Sequence, residues 1–240
     1  YNEKKQERLF KETIVESIKE WNEEKEKLQT LYLCIDRITS LDPRVGGDES
    51  LTPIIRLLFS GLFRLDKNGQ LKKSLAKSYQ VSKDKKRYTF KLHKTLWSNG
   101  KPVIAYDFEY AWKKILSPNF STPYAYVFYP IKNARFAKEG KVAVSEVGVV
   151  ATNDDTLIVN LEHPAPYFIE LTAGTLYSPV NHALDQVHPN WSSQKGNDFV
   201  CNGPFKLKTS RANYTYELEK NPYFWQRSQV KLDHIIVTQA

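Results

Sequence analysis

The chain has 240 residues, 41% of them hydrophobic, enough to bury a real core in one large domain or two lobes. Its formal charge of +8 admits an anionic partner, but no zinc-finger spacing, RNP-like motif or basic region with heptads is present. No apolar run approaches the roughly 18 residues that span a bilayer.

Residues 1–30 read as an amphipathic helix. Phe10, Ile14, Ile18 and Trp21 recur at spacings of four, four and three, with Leu28 one heptad further on, while Glu7–Lys11 and Glu23–Lys27 pair at i, i+4. Its stripe needs a partner: its own domain, a second chain, or a membrane surface, against which the mixed charges argue. With no signal peptide at Tyr1 and no Met anywhere, a processed or trimmed form is expected. Leu31 to Ile35 is a short apolar strand, where Cys34 reads as a buried thiol separate from Cys201 rather than its disulfide partner. Thr39 to Pro43 then leads to Gly46-Gly47-Asp48-Glu49, an expected mobile, exposed loop. Leu51 to Phe63 reads as a helix with Ile54, Ile55, Leu58 and Phe59 on its apolar face and Gly61 at its end.

Asp66 to Gly69 is a turn, Lys83-Asp84-Lys85-Lys86-Arg87 a solvated basic turn, and Tyr88 to Leu92 a half-buried strand by strict alternation. The central stretch runs from Trp97 to Tyr126. Asn99-Gly100 marks a tight turn with positive φ at Gly100. Phe108, Ala111, Trp112 and Ile115 form one stripe of a three-turn helix that Pro118 stops. An aromatic loop, Phe120 to Tyr129, follows beside it. Ile131 to Gly140 is helix or loop, Val147 to Ala151 and Thr156 to Leu161 are strands about a turn at Asn153 to Asp155, and Pro164 to Leu171 opens a helix. Tyr214, Tyr216 and Leu218 alternate in a further strand, and Leu232 to Val237 is the last.

Nothing in this order supports catalysis. No G-x-S-x-G elbow, H-E-x-x-H motif or Gly-rich phosphate cradle occurs, and the five histidines (93, 163, 182, 188, 234) have no ligand spacing. The sequence calls for no metal and no cofactor, and reads as a binding protein rather than an enzyme.

The stretch W-S-N-G-K-P-V-x-A-x-D-F-x-Y-A-W resembles the signature region of the oligopeptide and dipeptide-type extracytoplasmic solute-binding proteins of ABC importers. Further motifs follow in family order from about Leu31 to Val237: Ser40-Leu41-Asp42-Pro43, LLFSGLFRLDKNGQL, the hairpin Gly148 to Leu161, Pro164-x-Pro166-Tyr167-Phe168, Cys201-Asn202-Gly203-Pro204-Phe205 and Glu219 to Trp225. The resemblance implies an α/β fold: a periplasmic-binding-protein-like lobe with a mixed sheet and flanking helices, plus an α+β insert subdomain. It implies boundaries at 31–61 and 179–240 for the lobe and 62–178 for the insert, with the second lobe in sequence that would follow Ala240, so that the chain is a fragment or a natural half. The implied function is capture of oligopeptides between two lobes and delivery to an ABC permease, in the periplasm or at the outer face of the cytoplasmic membrane, with a lipid anchor as one option. Dipeptides, muropeptides, haem or nickel chelates are alternative cargoes of relatives. A different class of reading is an interaction module dimerising through the N-terminal helix rather than a monomer.

Carried residue by residue, the resemblance puts Tyr124, in Thr122-Pro123-Tyr124-Ala125, against the ligand, with Gly47, Asp48 and Glu49 on the rim. Peptide binders of the family carry an acidic residue where Gly47 stands here, so Asp48 and Glu49 are shifted carboxylates. Ile104 replaces the usual Ser or Thr N-cap of the central helix, a loss of about 1 kcal/mol that Asp107 partly offsets at the helix dipole.

Overall fold

The computed structural model describes residues 13–17, 19, 28–45, 49–193, 198–211 and 215–239. Most of the stripe assigned to the N-terminal helix, including Phe10, Ile18 and Trp21, lies outside them. Residues 13–17 and 19 are helical and exposed, Ile14 and Val15 included.

Two four-stranded sheets organise the chain. A mixed sheet has the order β1 (Thr30–Ile35), β10 (His234–Gln239), β9 (Thr215–Lys220), β8 (Phe205–Arg211), with β1 parallel to β10 and the other pairs antiparallel. An antiparallel sheet has the order β4 (Ala76–Val81), β5 (Arg87–Leu92), β7 (Thr156–Asn160), β6 (Val149–Asn153). The hairpin β2 (Phe63–Leu65) and β3 (Leu71–Lys73) lies between them in sequence. This is the α/β arrangement expected, with helices flanking a mixed sheet. The final strand starts two residues later than the apolar pattern suggests. Asp233 is fastened to Gln29 by its backbone N–H at 2.9 Å and its carboxylate at 3.1 Å, which sets Thr30 opposite His234.

The helices of this core are α1 (Thr52–Leu58), α2 (Ala105–Ile115), α3 (Ala134–Lys138), α4 (Phe168–Leu171) and α5 (His182–Val187). α1 is shorter than the predicted 51–63. Gly203 N–H donates to Leu58 O at 2.8 Å and the Asn202 amide brackets Ser60 through both its N–H and its C=O at 3.0 Å, so the chain leaves the helix as extended backbone at Phe59. Only glycine fits at 203: an added Cβ would lie 2.5 Å from the Leu58 carbonyl carbon. Gly100 has φ of 81°, as its turn requires.

α2 behaves as its stripe demands. Phe108, Ala111, Trp112 and Ile115 are all completely buried, against β6 and β7. Ile104 contributes no cap. Instead Asp107 reaches back to accept from Ile104 N–H at 2.9 Å, half of a capping box, and from Trp97 Nε1 at 3.0 Å. At the other end Lys138 Nζ collects three carbonyls, of Ile115, Ser117 and Phe120, at 3.0, 2.9 and 2.5 Å, neutralising the C-terminal dipole. One contiguous apolar cluster runs beneath both sheets.

The cysteines are corrected in part. Both are free thiols, but Cys34 is exposed while Cys201 is buried. Side chains alternate along β1, so Leu33 and Ile35 face the core while Tyr32 and Cys34 lie on the open face, a choice of face that the apolar run LYLCI does not reveal.

Candidate functional site

The two segments singled out for binding are the rim after β1 and the aromatic loop after α2, and the structure brings them together through one arginine. Asp42-Pro43-Arg44-Val45 is a turn of the kind that Asp at the first and Pro at the second position favour, closed by Val45 N–H to Asp42 O at 3.2 Å. The Asp42 carboxylate accepts Arg44 N–H at 2.9 Å and the Arg44 Nε and Nη2 at 3.0 and 2.7 Å. The other side of the guanidinium meets Asp185 on α5, with Nη1 and Nη2 at 2.8 and 2.6 Å from its two oxygens. Asp185 also takes the Tyr110 hydroxyl from α2 at 2.6 Å and Trp191 Nε1 at 2.7 Å. The guanidinium lies 5.3 Å from the centre of the Phe120 ring, at the start of the aromatic loop.

Arg44 is 2% exposed, so these contacts are made out of water. Burial works against its charge, but the hydrogen bonds it donates to Asp185 and Asp42 outweigh that and hold its pKa above the ordinary value. Burial likewise raises the Asp185 carboxyl, while the hydrogen bond and charge of Arg44, with Tyr110 and Trp191, bring it below the usual range. Tyr110 is pushed up by burial and by its bond to Asp185.

The aromatic loop is fixed from beneath. Trp112 Nε1 donates to Tyr177 O at 3.1 Å, the Phe128 and Tyr177 rings stack with centroids 4.3 Å apart, and the Tyr177 hydroxyl donates to Val127 O at 2.8 Å. Phe128 and Ala125 are buried, and the backbone of Tyr124 is held by Thr122 Oγ1 and Val127 N–H, both at 3.2 Å. Tyr124 itself is half-buried and packs against the core, leaving part of its ring accessible. Of the rim residues, Gly47 and Asp48 lie outside the described residues. Glu49 is exposed, and its carbonyl accepts Thr52 N–H at the start of α1.

A groove of about 310 Å³ lies between α1 and the end of the aromatic loop, and neither Glu49 nor Tyr124 lines it. It is lined by Thr52 and Arg56 of α1, Val127 of the aromatic loop, and Glu170, Leu176 and Tyr177. Thr52 lies three residues beyond Glu49 and Val127 three beyond Tyr124. The wall offers backbone, hydroxyl, charged and aromatic surface side by side. Among the described residues no group of three His, Cys, Asp or Glu side chains could hold a metal, and no helix is long and apolar enough to cross a membrane.

Sequence reasoning missed the Arg44–Asp185 pair because its partners are separated by 141 positions. The only local signal was an arginine directly after Asp-Pro. His182 was read as a surface or cap residue, but its Nδ1 sits 2.7 Å from buried Asp107 Oδ1 and its ring packs edge-on to Tyr106.

An α/β unit with a mixed sheet, a second antiparallel sheet and a polar groove between ordered loops is the architecture of a binding-protein lobe. Residues 70–240 match the family described as bacterial extracellular solute-binding proteins, family 5 (middle region), and the chain belongs to that family. It is 43% identical over 197 residues to the oligopeptide-binding protein OppA of Bacillus subtilis and 37% identical over 198 residues to the dipeptide-binding protein DppE of the same organism. Each match covers 82% of this chain and 36% of the relative, so the chain spans little more than a third of the length of these proteins. The structure of peptide-bound Listeria monocytogenes OppA superposes with a TM-score of 0.84 at 32% identity, over 89% of this chain and 43% of that one. That of Haemophilus influenzae OppA in complex with RPPGFSPFR gives 0.83 at 29% identity, over 89% and 42%.

Proposed function

We propose that this chain forms one wall of a peptide-capture site in the substrate-binding subunit of an ABC importer. The observation that carries the reading is the groove between the start of α1, just after Glu49, and the aromatic loop of Tyr124, in a chain whose relatives are named for binding oligopeptides and dipeptides. A peptide presents a repeating ladder of N–H and C=O groups, which a receptor reads with its own backbone irrespective of side-chain sequence. The rim Gly47, Asp48 and Glu49 supply close backbone approach and carboxylates for a ligand amine. Tyr124 supplies ring area and a hydroxyl. Arg44 holds both segments in register before ligand arrives, so less ordering entropy is lost on binding.

The division we propose is a lobe of 31–61 and 179–240 and an insert subdomain of 62–178. Its support is that no sheet crosses these boundaries: β1, β8, β9 and β10 fall in the first set and β2 to β7 in the second. A second lobe closing by hinge motion would bury the peptide, and lobe surfaces away from the cleft would dock on a membrane permease. We place this activity outside the cytoplasmic membrane.

The test is calorimetric titration of a mixed tri- to pentapeptide library into the full-length protein and its Tyr124→Ala variant. Binding that weakens about tenfold in the variant, the worth of one well-placed aromatic contact and hydrogen bond, supports the reading. No binding by the full-length protein would refute peptide as cargo.

A further inference from the structure

A second cavity, of about 300 Å³, opens next to the groove and is lined by Arg56 of α1, Arg64 of β2, Ser60, Ser74, Ser178 and Gln226. It is built from opposite sides of the molecule's main division, with Arg56 and Gln226 arriving from the mixed-sheet half and Arg64 and Ser74 from the antiparallel half. No Asp or Glu among the described residues lines it. Among the described residues, neither guanidinium has a hydrogen bond or ion pair, whereas Arg44 is matched by two carboxylates and Lys113 by Glu109. Lys72, directly opposite Arg64 in the β2–β3 ladder, is paired with Asp66 at 3.7 Å, which leaves Arg64 without a carboxylate of its own.

The cavity is also lined by unanswered hydroxyls. Ser74 and Ser178 are only 4% and 3% exposed, and neither hydroxyl has a hydrogen-bond partner among the described residues. Neither is among the buried polar atoms left without a partner, so both hydroxyls open to the cavity, where they can donate to water or to a ligand oxygen. Two planar cations, two free O–H donors and no competing carboxylate define the chemistry of an acceptor-rich anion. At about 30 Å³ per water, the volume holds such a group together with several waters.

We propose that this cavity is an oxyanion-binding site for a carboxylate or phosphate group, gripped by Arg56 and Arg64 and hydrogen-bonded by Ser74 and Ser178. Occupancy would tie the two halves of the molecule together. The site goes beyond peptide capture and does not depend on it.

The experiment is titration of the full-length protein with sodium phosphate and with sodium acetate, against sodium chloride at matched ionic strength. Binding is read by calorimetry and by the rise in unfolding temperature. At least one oxyanion should bind where chloride does not, and its affinity should fall about tenfold or more in Arg64→Gln, the worth of one charge-assisted hydrogen bond. Tighter phosphate binding assigns a phosphate group, and tighter acetate binding a carboxylate. Both arginines are exposed, so the glutamine variants should keep the wild-type unfolding temperature in chloride. Arg64→Lys keeps the charge but loses the planar fork, and gives the same readout should the glutamine variant not fold. No binding beyond chloride, or unchanged binding in both Arg56→Gln and Arg64→Gln, would overturn the assignment.

Discussion

Replacing Arg44 with leucine removes the one cation between two carboxylates that are themselves 8% and 6% exposed, Asp42 and Asp185. The lost set comprises five hydrogen bonds, from Nε to both oxygens of Asp42, from Nη2 to Asp42 and Asp185, and from Nη1 to Asp185. What decides the magnitude is less the bonds themselves than the charges left behind. Breaking a buried pair by deleting one partner costs about 3–5 kcal/mol, because the remaining ion has neither water nor a counter-charge. Asp185 retains Tyr110 and Trp191 as donors, and Asp42 retains one backbone N–H bond, which places the cost at the lower end, about 3 kcal/mol. That is a large share of the ~5–15 kcal/mol that holds a typical domain together. Urea unfolding of wild type and Arg44→Leu, with midpoints and slopes compared, measures it. Adding Asp185→Leu to Arg44→Leu should recover part of the loss, since an apolar replacement removes the stranded charge. A cost below about 1 kcal/mol for Arg44→Leu, the range of an exposed ion pair, would refute the argument that this cluster is dry.

Asp185 has a folded-state pKa below its unfolded value, so its contribution is fully present above the ordinary carboxylate range near pH 4 and is lost as pH falls through the folded pKa. The acid limb of the stability–pH curve should therefore flatten in Asp185→Asn, as read by urea unfolding from pH 7 down to 3; an unchanged slope would assign the acid sensitivity elsewhere. Cys34 is exposed while burial pushes the Cys201 thiol up to about 12, so an alkylating reagent at pH 8 should modify one thiol in the native protein and the second only after denaturation. Gly203→Ala forces a methyl to within 2.5 Å of the α1 backbone and should lower stability by roughly 1–3 kcal/mol; a neutral result would mean the loop slides freely.

Local pattern made the helix α2 legible, because a stripe at helical spacing over eleven residues between a tight turn and a proline leaves little freedom. The same holds for β5, where Tyr88, Phe90 and Leu92 alternate inward, and for the two-residue turn Asp154-Asp155 between β6 and β7. Signals that depend on distant chain were not legible. The end of α1 is set by Asn202 and Gly203, some 140 positions away, and the exposure of Cys34 by which face of β1 the rest of the chain covers. Tyr124 was nominated by the family resemblance of its loop, but its support was not legible: Phe128 stacks on Tyr177, and the Lys138 cation gathers Phe120 O with the helix end. The resemblance named the pieces, and the buried charge cluster beside them is a property of the folded chain alone.

The central claim is that the rim near Glu49 and the loop around Tyr124 form one ligand-facing wall. Hydrogen exchange of the full-length protein, with and without a peptide selected by titration, tests it most directly. The account predicts added protection on binding at the start of α1, residues 49–56, and in the aromatic loop, residues 122–129, with little change along β4 and β5. Protection confined to other segments, with both of these unchanged, would contradict it.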